Sequence, residues 1–195
     1  MPGTEKPLRV VVIIGSICRG RFAPVAAEWF TALARQREDL EVDVIDLAQA
    51  CLPEVLTDDG DHLPPAVCEL GPWLDRADAF TVVTPEYNHS FPGALKTAID
   101  WFSHEWRAKP IAFVSYGGDS GGRRAVEQLR PVFAALEAVT IRDTVSLIDH
   151  REHFGGEGHP IDPQVHEPAA RTMLDRLTWW ARALSLRRAR DPYDS

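Results

Sequence analysis

Residues Leu8 to Gly15 read LRVVVIIG, an almost unbroken run of β-branched residues. A run without polar alternation is the pattern of a strand covered on both faces, as in a parallel sheet. Apolar residues then recur at helical spacing through PVAAEWFTALARQ, with Pro24 in the first turn, where its missing N–H costs nothing. EVDVIDL predicts a second strand. A proline-rich acidic loop and a short helix through Trp73 lead to a third, AFTVVTP. ALKTAIDWF returns to helical period, PIAFVSYGG predicts a fourth strand, RRAVEQLRPVFAALEAV a helix and TIRDTVSLI a fifth strand. The last periodic segment, PAARTMLDRLTWWARAL, predicts a helix with Met173, Leu177, Trp180 and Leu184 on one face. Pro131 removes an N–H from the helix before the fifth strand and predicts a kink or restart there.

Strands alternating with helices predict an α/β chain with a doubly wound parallel sheet and helices on both faces. One domain is expected over 1–195, with a core of about 8–149 and a C-terminal loop and helix at about 150–190. Ligands of such sheets bind beyond the carboxyl ends of the strands, where the strand order switches. That rule selects GSICRGRFAP after the first strand, PEYNHSFPG after the third and SYGGDSGG after the fourth.

Composition narrows the partners. A formal net charge of -8 over 195 residues argues against nucleic acid. The basic LRRAR cluster reads as a helix end, carrying cations against its dipole. No apolar run has the length of a membrane span, and MPGTEKPLRV has no apolar signal core, so a cytoplasmic protein is expected. Cys18, Cys51 and Cys68 show no CxxC spacing and read as free thiols of a reducing compartment.

In GSICRGRFAP, Gly15 and Gly20 permit tight turns, Ser16 offers a hydroxyl, and Arg19 and Arg21 place cations just before a helix N-terminus, which favours an anion. A phosphate suits this loop, although neither G-x-G-x-x-G nor G-x-x-x-x-G-K-[ST] is present. SYGGDSGG supplies glycine where backbone must turn sharply or approach closely. A phosphate site, a glycine-rich approach and the aromatic PEYN loop on one sheet edge suit a flat heteroaromatic ligand with a single phosphate. Flavin mononucleotide (FMN) fits that description.

PEYNHSFPGALKTAIDW is very similar to the second flavin-binding loop and following helix of the NAD(P)H-dependent FMN reductases, and the likeness extends from the first strand through AVEQLRPVF. The resemblance implies a flavodoxin-like, five-stranded sheet of order 2-1-3-4-5, with FMN as cofactor and NADPH or NADH as co-substrate. It implies that Ser16, Arg21 and the amides through Phe22 and Ala23 hold the phosphate. Pro85, Glu86, Tyr87 and Asn88 then run along the isoalloxazine with backbone N–H groups toward its polar edge, and Ser115, Tyr116, Gly117 and Gly118 line the opposite side. That family usually reads G-S-x-R, and Cys18 stands at the arginine position, which leaves Arg19 as the expected substitute. The flavin N5 carries the hydride, so no catalytic side chain is expected; a quinone, free flavin or azo compound is the expected acceptor, and a homodimer or homotetramer the expected assembly.

Other readings stand beside this one. ICRGRFAPVAAEWF is similar to the phosphate loop of low-molecular-weight tyrosine phosphatases, and Asp191 to Tyr193 to their general-acid loop. Their C-x-x-x-x-x-R motif, aligned on Arg19, puts Ile13 where the nucleophilic thiolate belongs, so no phosphoenzyme can form. An FMN-binding electron carrier or redox sensor without nicotinamide turnover would use the same loops. A chain that has lost flavin through the change at Cys18 is a third possibility. Cys18 beside Arg19 could also be a redox-sensitive thiol, though packing is the commoner role for such a residue. HREHFGGEGH, His150 to His159, matches no zinc spacing and reads as a mobile loop able to fold over the site or a neighbouring subunit. His89 reads as a substrate, subunit or helix-entry contact, and Trp101, Phe102 and Trp106 as helix core or subunit contact.

Overall fold

The computed structural model describes residues 6–57, 63–155 and 158–193. β1 (Leu8–Ile14), β2 (Leu40–Asp46), β3 (Ala79–Pro85), β4 (Pro110–Gly117) and β5 (Val139–Ile148) form one five-stranded sheet of order β2-β1-β3-β4-β5. Every pairing is parallel, with Val10 opposite Val42 on one side and Ala79 on the other. This is the flavodoxin-like order that the family resemblance implied.

The continuous apolar strands follow from burial on both faces. In β1, Val10, Val12 and Ile14 pack with α1 (Ala23–Ala34) and α7 (Pro163–Arg190). Val11 and Ile13 point the other way, into a cluster with α3 (Pro65–Asp75), α4 (Gly93–Trp101) and α5 (Arg123–Ala135). All seven residues of β3 are buried, which explains why AFTVVTP shows no alternation. Two short helices, α2 (Leu47–Ala50) and α6 (His150–His153), follow β2 and β5. Trp106 and Phe102 belong to the core; the Trp106 indole N–H donates to the carbonyls of Ile99 (3.2 Å) and Phe102 (2.8 Å) and so closes the end of α4. Trp101 donates to the Pro53 carbonyl at 2.8 Å. No helix among the described residues is long and apolar enough to cross a membrane.

Two expectations need correction. Of the kink or restart expected at Pro131, the restart does not occur: α5 passes through as one helix, and the carbonyl freed four residues back belongs to exposed Glu127, where water can satisfy it. In α7 the buried stripe is Ala170, Met173, Leu174, Leu177, Thr178 and Ala181. Trp180 leaves that face and is 37% exposed beside Trp179 at 62%, while Leu184 is half-buried. The row Ala170, Leu174 and Thr178 fills the flank that a strict 173–177–180–184 stripe would have left open.

The turn from β4 into α5 depends on two glycines in the left-handed region, Gly121 (φ 58°) and Gly122 (φ 84°). A Cβ on Gly122 would fall 2.6 Å from the Ser115 Cβ and 2.7 Å from the Tyr116 nitrogen. Gly20 also has positive φ (66°), but an added Cβ there meets nothing within 4 Å. Gly122→Ala is therefore expected to destabilise the fold by about 2 to 4 kcal/mol. Gly20→Ala should cost no more than about 2 kcal/mol. Urea unfolding of the two variants checks the difference.

Candidate active site at the carboxyl edge of the sheet

PEYN begins as sheet and ends as a tight turn. The Glu86 N–H donates to the Tyr116 carbonyl at 3.0 Å, extending the β3–β4 pairing. Tyr87 and Ser90 then exchange backbone hydrogen bonds at 2.8 and 2.9 Å around Asn88 (φ 50°) and His89 (φ 65°). Positive φ at both central residues is the two-residue hairpin geometry that Asn tolerates well. This refines the expected use of the loop. Pro85 has no N–H, and the N–H groups of Glu86 and Tyr87 are spent inside the protein. Among the described residues, the amides of Asn88 and His89 make no hydrogen bond, so they are the donors the hairpin offers.

The loop after β1 meets this hairpin. Ser16 is fully buried, and its Oγ lies 3.3 Å from the Tyr87 hydroxyl. Cys18 and Arg19 are exposed, and Arg19 makes no ion pair among the described residues. Arg21 is ion-paired with Asp46, whose carboxylate also caps α2 through the Ala48 N–H at 3.0 Å. The buried Nε of Arg21 has no acceptor. Phe22, the residue before α1, gives that helix no side-chain cap, and its first turn carries no acid. Donors without acceptors thus gather at the start of α1, the arrangement that holds anions.

The third loop splits into two functions. Ser115 is fully buried and donates to the Gly121 carbonyl at 2.8 Å, so it fastens the turn and does not face the cleft. Tyr116, Gly117 and Gly118 line a cleft of about 450 Å³ together with Pro85, Glu86 and Tyr87. Burial raises the Tyr116 phenol above its ordinary pKa, so it stays protonated at neutral pH beside Ser16 and the Ala23 amide. Phe22 meets the Tyr116 ring edge-on, with centroids 5.3 Å apart.

A further wall comes from the residues just after β5, which but for Asp149 belong to the loop expected to be able to fold over the site. Asp149, His150, Arg151 and Glu152 line the same cleft. The His150 ring lies 4.2 Å from Phe22 and 5.2 Å from Tyr116, and its Nδ1 is 3.4 Å from the Gly117 carbonyl oxygen. Burial lowers the His150 pKa, outweighing the Gly117 carbonyl, so the ring is largely neutral at pH 7. Phe154 extends the aromatic packing to Phe22 and Trp29. The only sequence signal for this wall was its place just beyond the carboxyl end of β5. Residues 156 and 157 of that loop lie outside the described residues.

Residues 8–153 match the model of the NADPH-dependent FMN reductase family. The chain belongs to that family. It is 33% identical over 146 residues to the NAD(P)H-dependent FMN reductase LOT6 of Saccharomyces cerevisiae, covering 67% of this chain and 75% of that one. It is 32% identical over 181 residues to the quinone reductase of Escherichia coli strain K12, covering 89% and 92%. Among solved structures, FerB, a flavoenzyme NAD(P)H:(acceptor) oxidoreductase from Paracoccus denitrificans, matches with a TM-score of 0.77 at 24% identity. That match covers 90% of this chain and 98% of the other and shows the same fold.

Within this family member, Glu86 joins the two main walls of the cleft. Its carboxylate accepts from Ser120 Oγ (2.7 Å), the Arg124 backbone N–H (3.1 Å) and the Arg124 guanidinium (2.9 Å). Burial alone would push this carboxyl up, but the Ser120 and Arg124 donors together hold it below its ordinary value. A depressed carboxyl pKa stabilises the fold at pH values above the unfolded-state pKa, near 4.5, and that stability is lost as pH falls through the lower folded-state value. Glu86→Gln is therefore expected to be less stable than the parent at neutral pH, and the gap should narrow in acid. Urea midpoints measured from pH 7 downward test this; a gap that stays constant with pH would show that the charge contributes nothing.

Proposed function

We propose that this protein is an NAD(P)H-dependent oxidoreductase that binds FMN in the cleft and passes hydride from NAD(P)H, through that cofactor, to a quinone, flavin, azo or similar small acceptor. The observation that carries this reading is the juxtaposition of an acceptor-free anion site at the start of α1 with a cleft of about 450 Å³ walled by tyrosine and glycine. That volume falls within the range of pockets that hold ligands of this size. The relatives named FMN reductase and quinone reductase support the same activity.

The residues fit the cofactor. Ser16, the Arg21 Nε and the amides through Phe22 and Ala23 would hold the phosphate, with exposed Arg19 supplying charge in the region where the family pattern has its arginine. Cys18 borders this group from the position that arginine usually occupies. Pro85, Glu86, Tyr87 and Asn88 would form one side of the ring site, with the Asn88 and His89 amides as donors, and Tyr116, Gly117 and Gly118 the other. Ser115 contributes by holding the glycine turn. FMN, when bound, supplies the hydride chemistry. The protein supplies position, donor dipoles and exclusion of water. No side chain need serve as general acid or base: Tyr116 keeps its proton, and Glu86 is committed to Ser120 and Arg124.

A cytoplasmic homo-oligomer of one flavodoxin-like domain per chain completes the proposal.

Titration of the purified protein with FMN, followed by anaerobic NADPH, tests the activity. Flavin bands should shift on binding and bleach on addition of NADPH. Binding without bleaching by NADPH or NADH would favour the carrier or sensor reading, and absence of binding would overturn the cofactor assignment. Cys18→Arg, which restores the usual arginine, should tighten FMN binding by about tenfold, the effect of one added charge-assisted hydrogen bond. Fluorescence quenching of FMN measures that change.

A further inference from the structure

The helix α5 starts without a cap of its own. Gly122 precedes it, and its first turn carries Arg123 and Arg124 where an acid would suit the helix dipole. The missing negative charge comes from Glu86, 38 residues earlier in the chain, which itself lines the cleft. Its side chain is only 8% exposed and accepts all three donors described above. Ser120 completes the arrangement by accepting from the Gly122 N–H at 3.2 Å. The balancing guanidinium of Arg124 is 44% exposed, and the other acid near it, Asp119, is 3.8 Å away and open to solvent.

We infer that Glu86 and Arg124 form a charge-compensated wall that sets the reduction potential of the cofactor in the cleft, with Arg124 acting as a positioning residue through Glu86. This inference rests on the FMN reading above. Hydride transfer converts NAD(P)H to NAD(P)⁺ and leaves the site with one more negative charge. A bare, buried carboxylate in the wall would oppose that charge, because little water is present to screen it. Paired with Arg124 and held at the start of α5, the same carboxylate keeps both walls in register and adds little net field.

The roles of charge and of architecture separate by sign. Arg124→Ala leaves Glu86 uncompensated, so the protein should bind reduced FMN about tenfold less tightly relative to oxidised FMN. For a two-electron couple, that factor lowers the midpoint potential by about 30 mV. Glu86→Gln keeps a hydrogen-bonding side chain but leaves Arg124 with only the solvent-screened Asp119 as a counter-charge, and should shift the ratio in the opposite direction. Arg124→Lys retains the charge and should stay near the parent. Midpoint potentials of the FMN-loaded proteins, read against a reference dye, supply the test. Shifts of opposite sign support the inference; shifts of the same sign, or none, overturn it and leave the pair a purely structural clasp. Failure of the parent to bind FMN overturns the cofactor reading as well, and appears in the binding titration before any potential is measured. A double-mutant cycle on cofactor-free protein, read by urea unfolding, checks the pair independently of FMN. Coupling between the two side chains supports the pairing, and strict additivity overturns it.

Discussion

The reversal of strand order at β1 governs where this molecule can bind anything. From β1 the chain steps outward to β2 on one side and returns to place β3 on the other. The connections leaving β1 and β3 therefore diverge, and no crossover can cover the carboxyl edge between them. The Gly15 N–H donates to the Val83 carbonyl at 2.9 Å and holds the two strand ends together up to the last residue before they part. Beyond it the backbone of the β1 loop is free to present donors, and the β3 chain is free to make its hairpin. Ser16 and Tyr87 come within 3.3 Å of each other because of that shared starting point.

The glycines around this edge divide into two kinds. Gly121 and Gly122 are required by the protein: side chains there would run into Ile148, Ser115 and the Tyr116 backbone. They let α5 start directly against β4, which brings the Arg124 amide within reach of Glu86. Gly117 and Gly118 lie earlier in the same turn and line the cleft. One sequence motif thus contains both a packing requirement and an approach surface, and composition alone does not separate them.

Features with a local cause were legible in the sequence. Strands buried on both faces must be apolar throughout, so LRVVVIIG and AFTVVTP were plain, and the alternation of strand and helix then restricted the sheet to few topologies. The three loops that meet at the carboxyl edge were legible because Gly, Pro and Asn mark the turns at which strands end. Features that depend on partners far along the chain were not. The sequence places Arg21 at a phosphate and Glu86 along a flat ring, but carries no sign that β2 brings Asp46 beside the one or that Arg124 of α5 supplies two donors to the other. His150 was marked only by its place in the loop after β5, since its contact with Phe22 and Gly117 depends on how the chain leaves that strand. Trp180 was misplaced for a similar reason: periodicity gives a helix a face, but the breadth of the buried stripe depends on what the sheet beneath it can fill.

The electrostatics show why local geometry outweighs total charge here. A chain of formal net charge -8 is a poor general host for anions. At physiological ionic strength, however, fields from exposed charges fade over about 8 Å, so a bound phosphate responds chiefly to the groups that touch it. In the proposed site those groups would be the backbone N–H dipoles at the start of α1, the buried Ser16 hydroxyl and the Arg21 Nε that has no acceptor. They are fixed by burial and helix geometry and need no excess of surface lysine. Asp46 fits the same logic. By taking the outer edge of Arg21 it orients the guanidinium and neutralises part of its charge, leaving Nε as a directional donor. A site assembled this way selects for the shape and hydrogen-bonding pattern of an anion more than for its charge, which suits a compact phosphate attached to a flat ring.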